Sequence, residues 1–317
     1  MQTILLNDTT TLRRPSVATI GFFDGVHRGH QYLIEHVIAE ALKAGIDSTV
    51  ITFDSHPREV LHSDYTPPLL TTTEQKLSLL ADTGIETTVI LPFTPPLAAL
   101  SARQFMQQIL HDRLNVQQLV IGYDNRFGHN RDEGFDYYVR YGRQLGIEVV
   151  RNEAFGIDKS HPHISSSVIR QLLQQGDIEQ ANRYLGRPYM LQAPVVSGFK
   201  EGRKLGFPTA NLDISRLRQL IPATGVYAVK AQVEESDTWY RAMTSIGTRP
   251  TYNGTQLSVE TNILDGFDRD IYGKRLSVAF FKRLRNEKRF DSIAQLRRQI
   301  IQDTVNIHHY FEKEETK

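Results

Sequence analysis

Val17-Ala18-Thr19-Ile20-Gly21-Phe22-Phe23-Asp24-Gly25-Val26-His27-Arg28-Gly29-His30 passes from an apolar, β-branched run through a glycine-spaced turn into a helical pattern. Residues 17–21 read as a buried strand and residues 31–43 as the amphipathic helix after it. A short turn joining a buried strand to a helix is the start of a βαβ unit. Glycines at 21, 25 and 29 allow backbone to approach a ligand closely. The helix start adds unpaired N–H groups at the positive end of the helix dipole. His27 and His30 are three positions apart, so both rings fall on one side of the first turn. Two imidazoles there suit an anionic, phosphate-bearing ligand. Zinc is the competing reading, but no third ligand of metal spacing follows.

Outward from this turn the same rhythm repeats. Strands are expected at residues 48–53, 87–91, 118–122 and 148–152, with helices at 74–83, 102–114 and 136–145 between them. That alternation argues for a buried parallel sheet. Two short helices, 165–175 and 178–185, close the first domain. After Gly186-Arg187-Pro188 the pattern changes to β-branched or alternating runs at 225–233, 239–246, 258–264 and 275–284, parted by Gly, Asn and Asp turns. Successive strands without helices imply an antiparallel sheet or small barrel. A final helix begins after Ser292, with Gln295 completing a capping-box pattern and Ile293, Leu296 and Ile300 forming its apolar stripe. The domain boundary is placed near residue 184, giving domains 1–184 and 185–317.

Composition agrees with two globular domains: 317 residues, 40% hydrophobic and 23% charged. A net charge of +1 supplies no global attraction to nucleic acid or membrane. Cysteine is absent, which excludes disulfides and thiolate chemistry and permits a reducing compartment. The first residues lack the basic and apolar regions of a secretory leader, and no apolar run nears the ~20 residues of a membrane span. A cytoplasmic protein is the expectation. No zipper or disulfide pattern sets an oligomeric state.

The turn at 21–30 resembles the GxFDGxHxGH motif of nucleotidyltransferases, in the version found in bacterial bifunctional riboflavin kinase/FAD synthetases. Three more segments resemble that family. Thr52-Phe53-Asp54-Ser55-His56-Pro57 is similar to its F-x-P-H-P stretch, with Ser55 for a proline. Gly122-Tyr123-Asp124-Asn125-Arg126-Phe127-Gly128 resembles its G-x-D-F-R-F-G loop, with Asn125 for phenylalanine. Ile164-Ser165-Ser166-Ser167-Val168-Ile169-Arg170 resembles I-S-S-T-x-I-R, with Ser167 for threonine. Phe22 stands where the family often has asparagine. In the second domain, Gly198 through Leu212 resembles the riboflavin kinase signature ending in P-T-A-N, and Val259-Glu260-Thr261-Asn262-Ile263-Leu264-Asp265 its V-E-x-H-x-L-D strand. Residues 271–276 and 284–290 resemble its Y-G-x-x-L and L-R-x-E-x-x-F segments.

The resemblance implies an α/β Rossmann-like nucleotidyltransferase domain followed by a small antiparallel β-barrel with a C-terminal helix. It implies two reactions: riboflavin and ATP give FMN, and FMN and ATP then give FAD and pyrophosphate. For adenylyl transfer it points to His27, His30 and Arg170, with Gly21, Phe23, Asp24, Gly29, Asp124, Ser165 and Ser166 binding nucleotide or phosphate. Asp24 either orients the turn or binds metal. The nucleophile would be an FMN phosphate oxygen, already ionised near neutrality, so positioning and charge neutralisation suffice. For the kinase it points to Glu260 as base, because a ribityl hydroxyl is a weak acid. Gly198, Arg203, Lys204 and Asn211 would bind nucleotide, and Thr209 and Asn211 would hold Mg²⁺. The basic residues of 282–289 read as a solvated strand end, with Arg285 near flavin or nucleotide as a second possibility. Trp239 reads as a core or strand-face residue. Partners are the small molecules riboflavin, FMN and ATP, with no nucleic acid and no membrane. A related adenylyltransferase acting on another small phosphate leaves residues 190–303 unexplained. A riboflavin kinase or flavin-binding protein with a decayed first site rests on Phe22, Ser55 and Asn125, and the retained His27, His30 and Arg170 weigh against it.

Overall fold

The computed structural model describes all residues except 61–64, 124, 130–132, 157–162, 198–205, 252–253, 268 and 316–317. The chain divides into two compact units, Met1–Ser166 and Ser167–Lys317.

In the first unit six strands form one parallel sheet in the order β1-β4-β3-β2-β5-β6. They are β1 (Gln2–Leu5), β2 (Ser16–Ile20), β3 (Asp47–Phe53), β4 (Thr87–Leu91), β5 (Val116–Ile121) and β6 (Glu148–Arg151). The helices are α1 (Arg28–Ala44), α2 (Pro57–Val60), α3 (Thr73–Asp82), α4 (Pro95–Ala98), α5 (Ala102–Phe105) and α6 (Phe135–Leu145). Side chains of alternate parity leave opposite faces of the sheet, and both faces are covered. Val17, Val50 and Val120 meet Leu33, Ile34, Val37 and Leu80 of α1 and α3. Ala18, Ile20, Ile51 and Leu119 meet Phe105, Met106, Leu110 and Tyr138 on the other side. This two-sided burial explains why the central strands are continuous apolar runs. The helix expected at 102–114 starts as α5 and widens at Met106–His111 into a π-helical turn.

The strand order runs outward from β2 through β3 and β4 on one side, and through β5 and β6 on the other. The chain therefore reverses its direction of advance across the sheet at β2, and such sheets bind ligands outside the carboxyl ends of the strands at that point. The turn at 21–27 follows β2, residues 54–56 follow β3, and residues 122–128 follow β5. Three of the four motifs of the first domain thus leave the same edge of the sheet.

The helix α7 (Ser166–Gln175) starts at the last residue of the first unit and runs on in the second, where α8 (Ile178–Leu185) follows it. Six antiparallel strands then close a barrel in the order β10-β11-β8-β7-β12-β9. They are β7 (Tyr189–Val196), β8 (Ala210–Leu212), β9 (Gly225–Val233), β10 (Tyr240–Thr251), β11 (Gly254–Ile263) and β12 (Arg275–Arg285). Tyr189, Tyr227 and Phe280 are fully buried. Val226, Ala228 and Met243 instead pack against Ile307 and Phe311 of α9 (Ile293–Glu315). Ser292 accepts from the Gln295 backbone N–H as expected, but the Gln295 side chain reaches back to Asp291 N rather than to Ser292. The expected apolar stripe is shifted. Ile293 is 71% exposed, and the packed face starts at Ile300 and continues through Ile307, Tyr310 and Phe311. On that packed face Asp303 is buried against Arg285 of β12. Trp239 is also corrected: it is 40% exposed, just outside β10.

Two candidate active sites

The turn after β2 is held by its own backbone chemistry. Phe23 and Val26 have positive φ angles of 53° and 36°, costly for residues other than glycine, and Gly25 has φ 81°. Asp24 is buried, and its carboxylate accepts from Leu70 N (2.9 Å) and Thr71 N (3.1 Å). Gly25 N donates to the Thr71 hydroxyl at 3.1 Å. These contacts anchor the turn to the segment preceding α3. At Gly21 a Cβ would lie 3.1 Å from the Phe23 ring, and at Gly29 it would lie 3.2 Å from His27 Nδ1. The space those two glycines leave is therefore filled by the protein's own rings, not kept open for a ligand.

His27 is the N-cap of α1, and its Nδ1 accepts from His30 N at 3.3 Å. With that nitrogen used as an acceptor, a neutral His27 carries its proton on Nε2. The His27 and His30 rings stack at 3.6 Å, and the Phe23 ring meets His30 edge-on at 5.1 Å. Both imidazoles therefore stand together at the N-terminal end of a 17-residue helix. Ser166 donates its hydroxyl to the Asp24 carbonyl at 2.9 Å, which brings the serine motif to the histidine turn. Ser165 immediately precedes α7, and Arg170 lies on α7 in the second unit. Asp124 lies outside the described residues.

In the barrel, β11 pairs with β8 so that Glu260 is directly opposite Asn211 and Thr261 opposite Ala210. Strand alternation puts Glu260 and Asn211 on one face of this pair and Thr261 and Ala210 on the other. Opposite residues in antiparallel strands have Cβ atoms about 5 Å apart, so the carboxylate and the amide are immediate neighbours. Asn262 ties the strand to the P-T-A-N segment by donating to the Pro208 carbonyl at 2.6 Å. A cleft of about 540 Å³, open mouth included, is lined by Val195, Thr209, Thr261, Ile263, Arg269 and Tyr272 among others. Thr209 is thus at the cleft, while Glu260 and Asn211 are not among its lining. Gly198, Arg203 and Lys204 lie outside the described residues.

The FAD synthetase family matches residues 9–168, and the riboflavin kinase family matches residues 185–311. A bifunctional riboflavin kinase/FMN adenylyltransferase of Escherichia coli K12 is 35% identical over 295 residues, covering 93% of this chain and 92% of its own. One from Bacillus subtilis strain 168 is 36% identical over 312 residues with the same coverages. The chain belongs to the bifunctional riboflavin kinase/FMN adenylyltransferase family. It is an enzyme with both of that family's domains, and both use ATP. A crystal structure named as a macrolide-efflux protein of Streptococcus pneumoniae shares the fold, with TM-score 0.86 and 31% identity over 97% of this chain and 99% of that one. Among the described residues no helix is long and apolar enough to cross a membrane.

The departures from the family's motifs have local explanations. Phe22 works through its backbone: its carbonyl accepts from the Thr52 hydroxyl (3.1 Å) and from Lys76 Nζ (3.3 Å), while its ring meets His56 edge-on. Ser55 donates to Asp54 Oδ1. Asn125 donates to the Ile20 carbonyl, tying the loop after β5 to the end of β2. In the second domain, Arg285 gives both Nε and Nη2 to Asp303, at 3.0 and 2.8 Å. Arg283 donates to the Thr224 carbonyl. These two basic side chains brace the barrel. Sequence reasoning missed Lys76, Arg269 and the anchoring role of Thr71. Only Arg269, close before the Y-G segment, carried a local signal.

Proposed function

We propose that residues 1–184 adenylylate FMN at the histidine turn and that residues 185–317 phosphorylate riboflavin at the β8–β11 pair. The observation that carries this division is that each signature, Arg170 apart, gathers within its own unit: His27, His30, Asp24 and Ser166 around one turn, and Asn211, Glu260 and Thr209 around one strand pair.

In adenylyl transfer an ionised FMN phosphate oxygen attacks the α-phosphorus of ATP, and the bond to the β-phosphate bridging oxygen breaks to release pyrophosphate. The α1 N-terminus, His27 through Nε2–H, and His30 stabilise the charge building on the α-phosphate. Ser165, Ser166 and Arg170 neutralise the departing pyrophosphate. Gly21, Phe23, Asp24 and Gly29 shape the turn, and Asp124 completes the nucleotide site. No proton has to be removed from the nucleophile.

In phosphoryl transfer the terminal ribityl hydroxyl attacks the γ-phosphorus of ATP, and Glu260 takes its proton as the bond to ADP breaks. ATP lies against the P-T-A-N segment, with Gly198, Arg203, Lys204 and Asn211 around its phosphates. The hydroxyl of Thr209 and the amide oxygen of Asn211 suit Mg²⁺, a hard cation that takes few protein ligands and completes its shell with phosphate and water. When bound, Mg²⁺ neutralises charge on the phosphates being transferred. The bracing roles of Arg283 and Arg285 support small-molecule substrates over nucleic acid. The test is a time course with riboflavin, ATP and Mg²⁺, the flavins being separated at each point. FMN should rise and then give way to FAD; riboflavin left unchanged overturns the proposal.

A further inference from the structure

Lys76 is 4% exposed, on the first turns of a helix no motif includes. Its Nζ donates to three oxygens: the Phe53 carbonyl (2.9 Å), the Thr52 hydroxyl (3.2 Å) and the Phe22 carbonyl (3.3 Å). Three donors thus meet three acceptors, the full capacity of an ammonium. The same Nζ lies 4.6 Å from the centre of the Phe22 ring, a cation–π contact that this chain gains by carrying phenylalanine where the family often has asparagine. Phe53 ends β3, and Phe22 sits just past the end of β2. Lys76 therefore ties together the two strand ends from which the histidine turn and the following loop depart.

Its own helix is fixed by the same region. Thr72 caps α3 in a complete capping box with Gln75, and residues 70 and 71 immediately before that cap hold Asp24. The turn is thus gripped twice from the α3 N-terminus, once through Asp24 and once through the Phe22 carbonyl. Between these grips lies Phe23, one of the two positive-φ residues that need such support. Burying an ammonium is costly, and an apolar side chain would fill the same space more cheaply. Buried, perturbed charges concentrate at functional sites.

We propose that Lys76 is a positioning residue for adenylyl transfer: its ammonium holds the strained turn bearing His27 and His30 in its working form and places a positive charge behind it. The inference rests on the reading of that turn as the adenylyl-transfer site.

Burial pushes the Lys76 pKa down to about 8, against the opposing pull of Asp24 and Asp54. Those two carboxylates face it from the turn and from the end of β3, and His56 faces it across the Phe22 ring. The protonated form is the supporting one, so FAD formation should fall as pH rises through about 8.

The test compares Lys76→Met and Lys76→Arg in the full chain, measuring kcat/KM for FMN adenylylation against pH and riboflavin phosphorylation on the same samples. Lys76→Met should lower FAD formation about ten- to a hundredfold, the scale of hydrogen bonds to a charged donor, with phosphorylation retained. Lys76→Arg should restore much of the activity and remove the limb near pH 8, because arginine keeps its charge. FAD formation within about threefold of the parent in Lys76→Met overturns the proposal. So does an alkaline limb unmoved in Lys76→Arg, which decides the matter should the methionine variant not fold. His30→Ala runs alongside. If it leaves FAD formation intact, the site reading fails; if it abolishes FAD formation while Lys76→Met does not, only the Lys76 inference fails.

Discussion

Asp303 is 1% exposed, and its carboxylate accepts from Arg285 Nε and Nη2 and, at 2.9 Å, from Gln299 Nε2. In Asp303→Ala the Arg285 guanidinium faces an emptied pocket. Removing one partner of a buried ion pair costs about 3–5 kcal/mol. The Arg285 side chain keeps 23% of its exposure, which moves the expectation to the low end, about 3 kcal/mol. For a unit spanning Ser167–Lys317 each kcal/mol shifts Tm by about 2–4 °C, so a fall of about 6–12 °C follows. The assay heats aliquots of the full chain, cools them and measures both reactions. Riboflavin phosphorylation should fail at the lower temperature, while adenylylation of supplied FMN should fail where it does in the parent. Arg285→Met combined with Asp303→Leu removes both charges and should recover most of the loss, with the KM for riboflavin within about threefold of the parent. A single variant melting within about 2 °C of the parent, or a double variant no better than the single, refutes the reasoning.

The Thr244 and Thr261 hydroxyls meet at 2.8 Å, with both residues fully buried. Thr244→Val should cost about 1–3 kcal/mol in urea unfolding, and adding Thr261→Val should return much of it, since an unpaired buried hydroxyl costs more than none. A fragment of residues 167–317 should hold riboflavin phosphorylation to a higher temperature than one of residues 185–317. The shorter piece loses α8, which buries Ile178, Ala181 and Tyr184, and whose Asn182 bonds the Phe280 carbonyl and Tyr189 N. Equal melting of the two fragments would remove that claim.

The parallel sheet was legible because its central strands are covered on both faces and so appear as apolar runs, with helices capped by Thr72 and Ser101 between them. The strands that escaped notice lack that signal. β1 ends in Leu5, 59% exposed; β7 alternates correctly but carries Pro194; β8 has only three residues. The histidine pair was legible because cap, glycine spacing and helix coincide in one stretch. Lys76 was not, because a lysine in an amphipathic helix looks like any solvated one until the fold buries it. Phe22 looked like a lost polar contact, yet the turn uses its carbonyl, which any residue supplies. The shift of the α9 stripe was equally hidden: Ile293 fits the helical period, but only the barrel's extent decides which turns find a surface.

The central claim is that one chain performs two reactions at two separate sets of residues. Its most direct test measures riboflavin phosphorylation and adenylylation of supplied FMN separately in His30→Ala and Glu260→Gln. His30→Ala should convert riboflavin to FMN at nearly the parent rate and lose FAD formation by about two to three orders of magnitude. Glu260→Gln should slow phosphorylation by about two to four orders of magnitude while making FAD from supplied FMN as the parent does. A folded protein in which either substitution removes both activities contradicts the account.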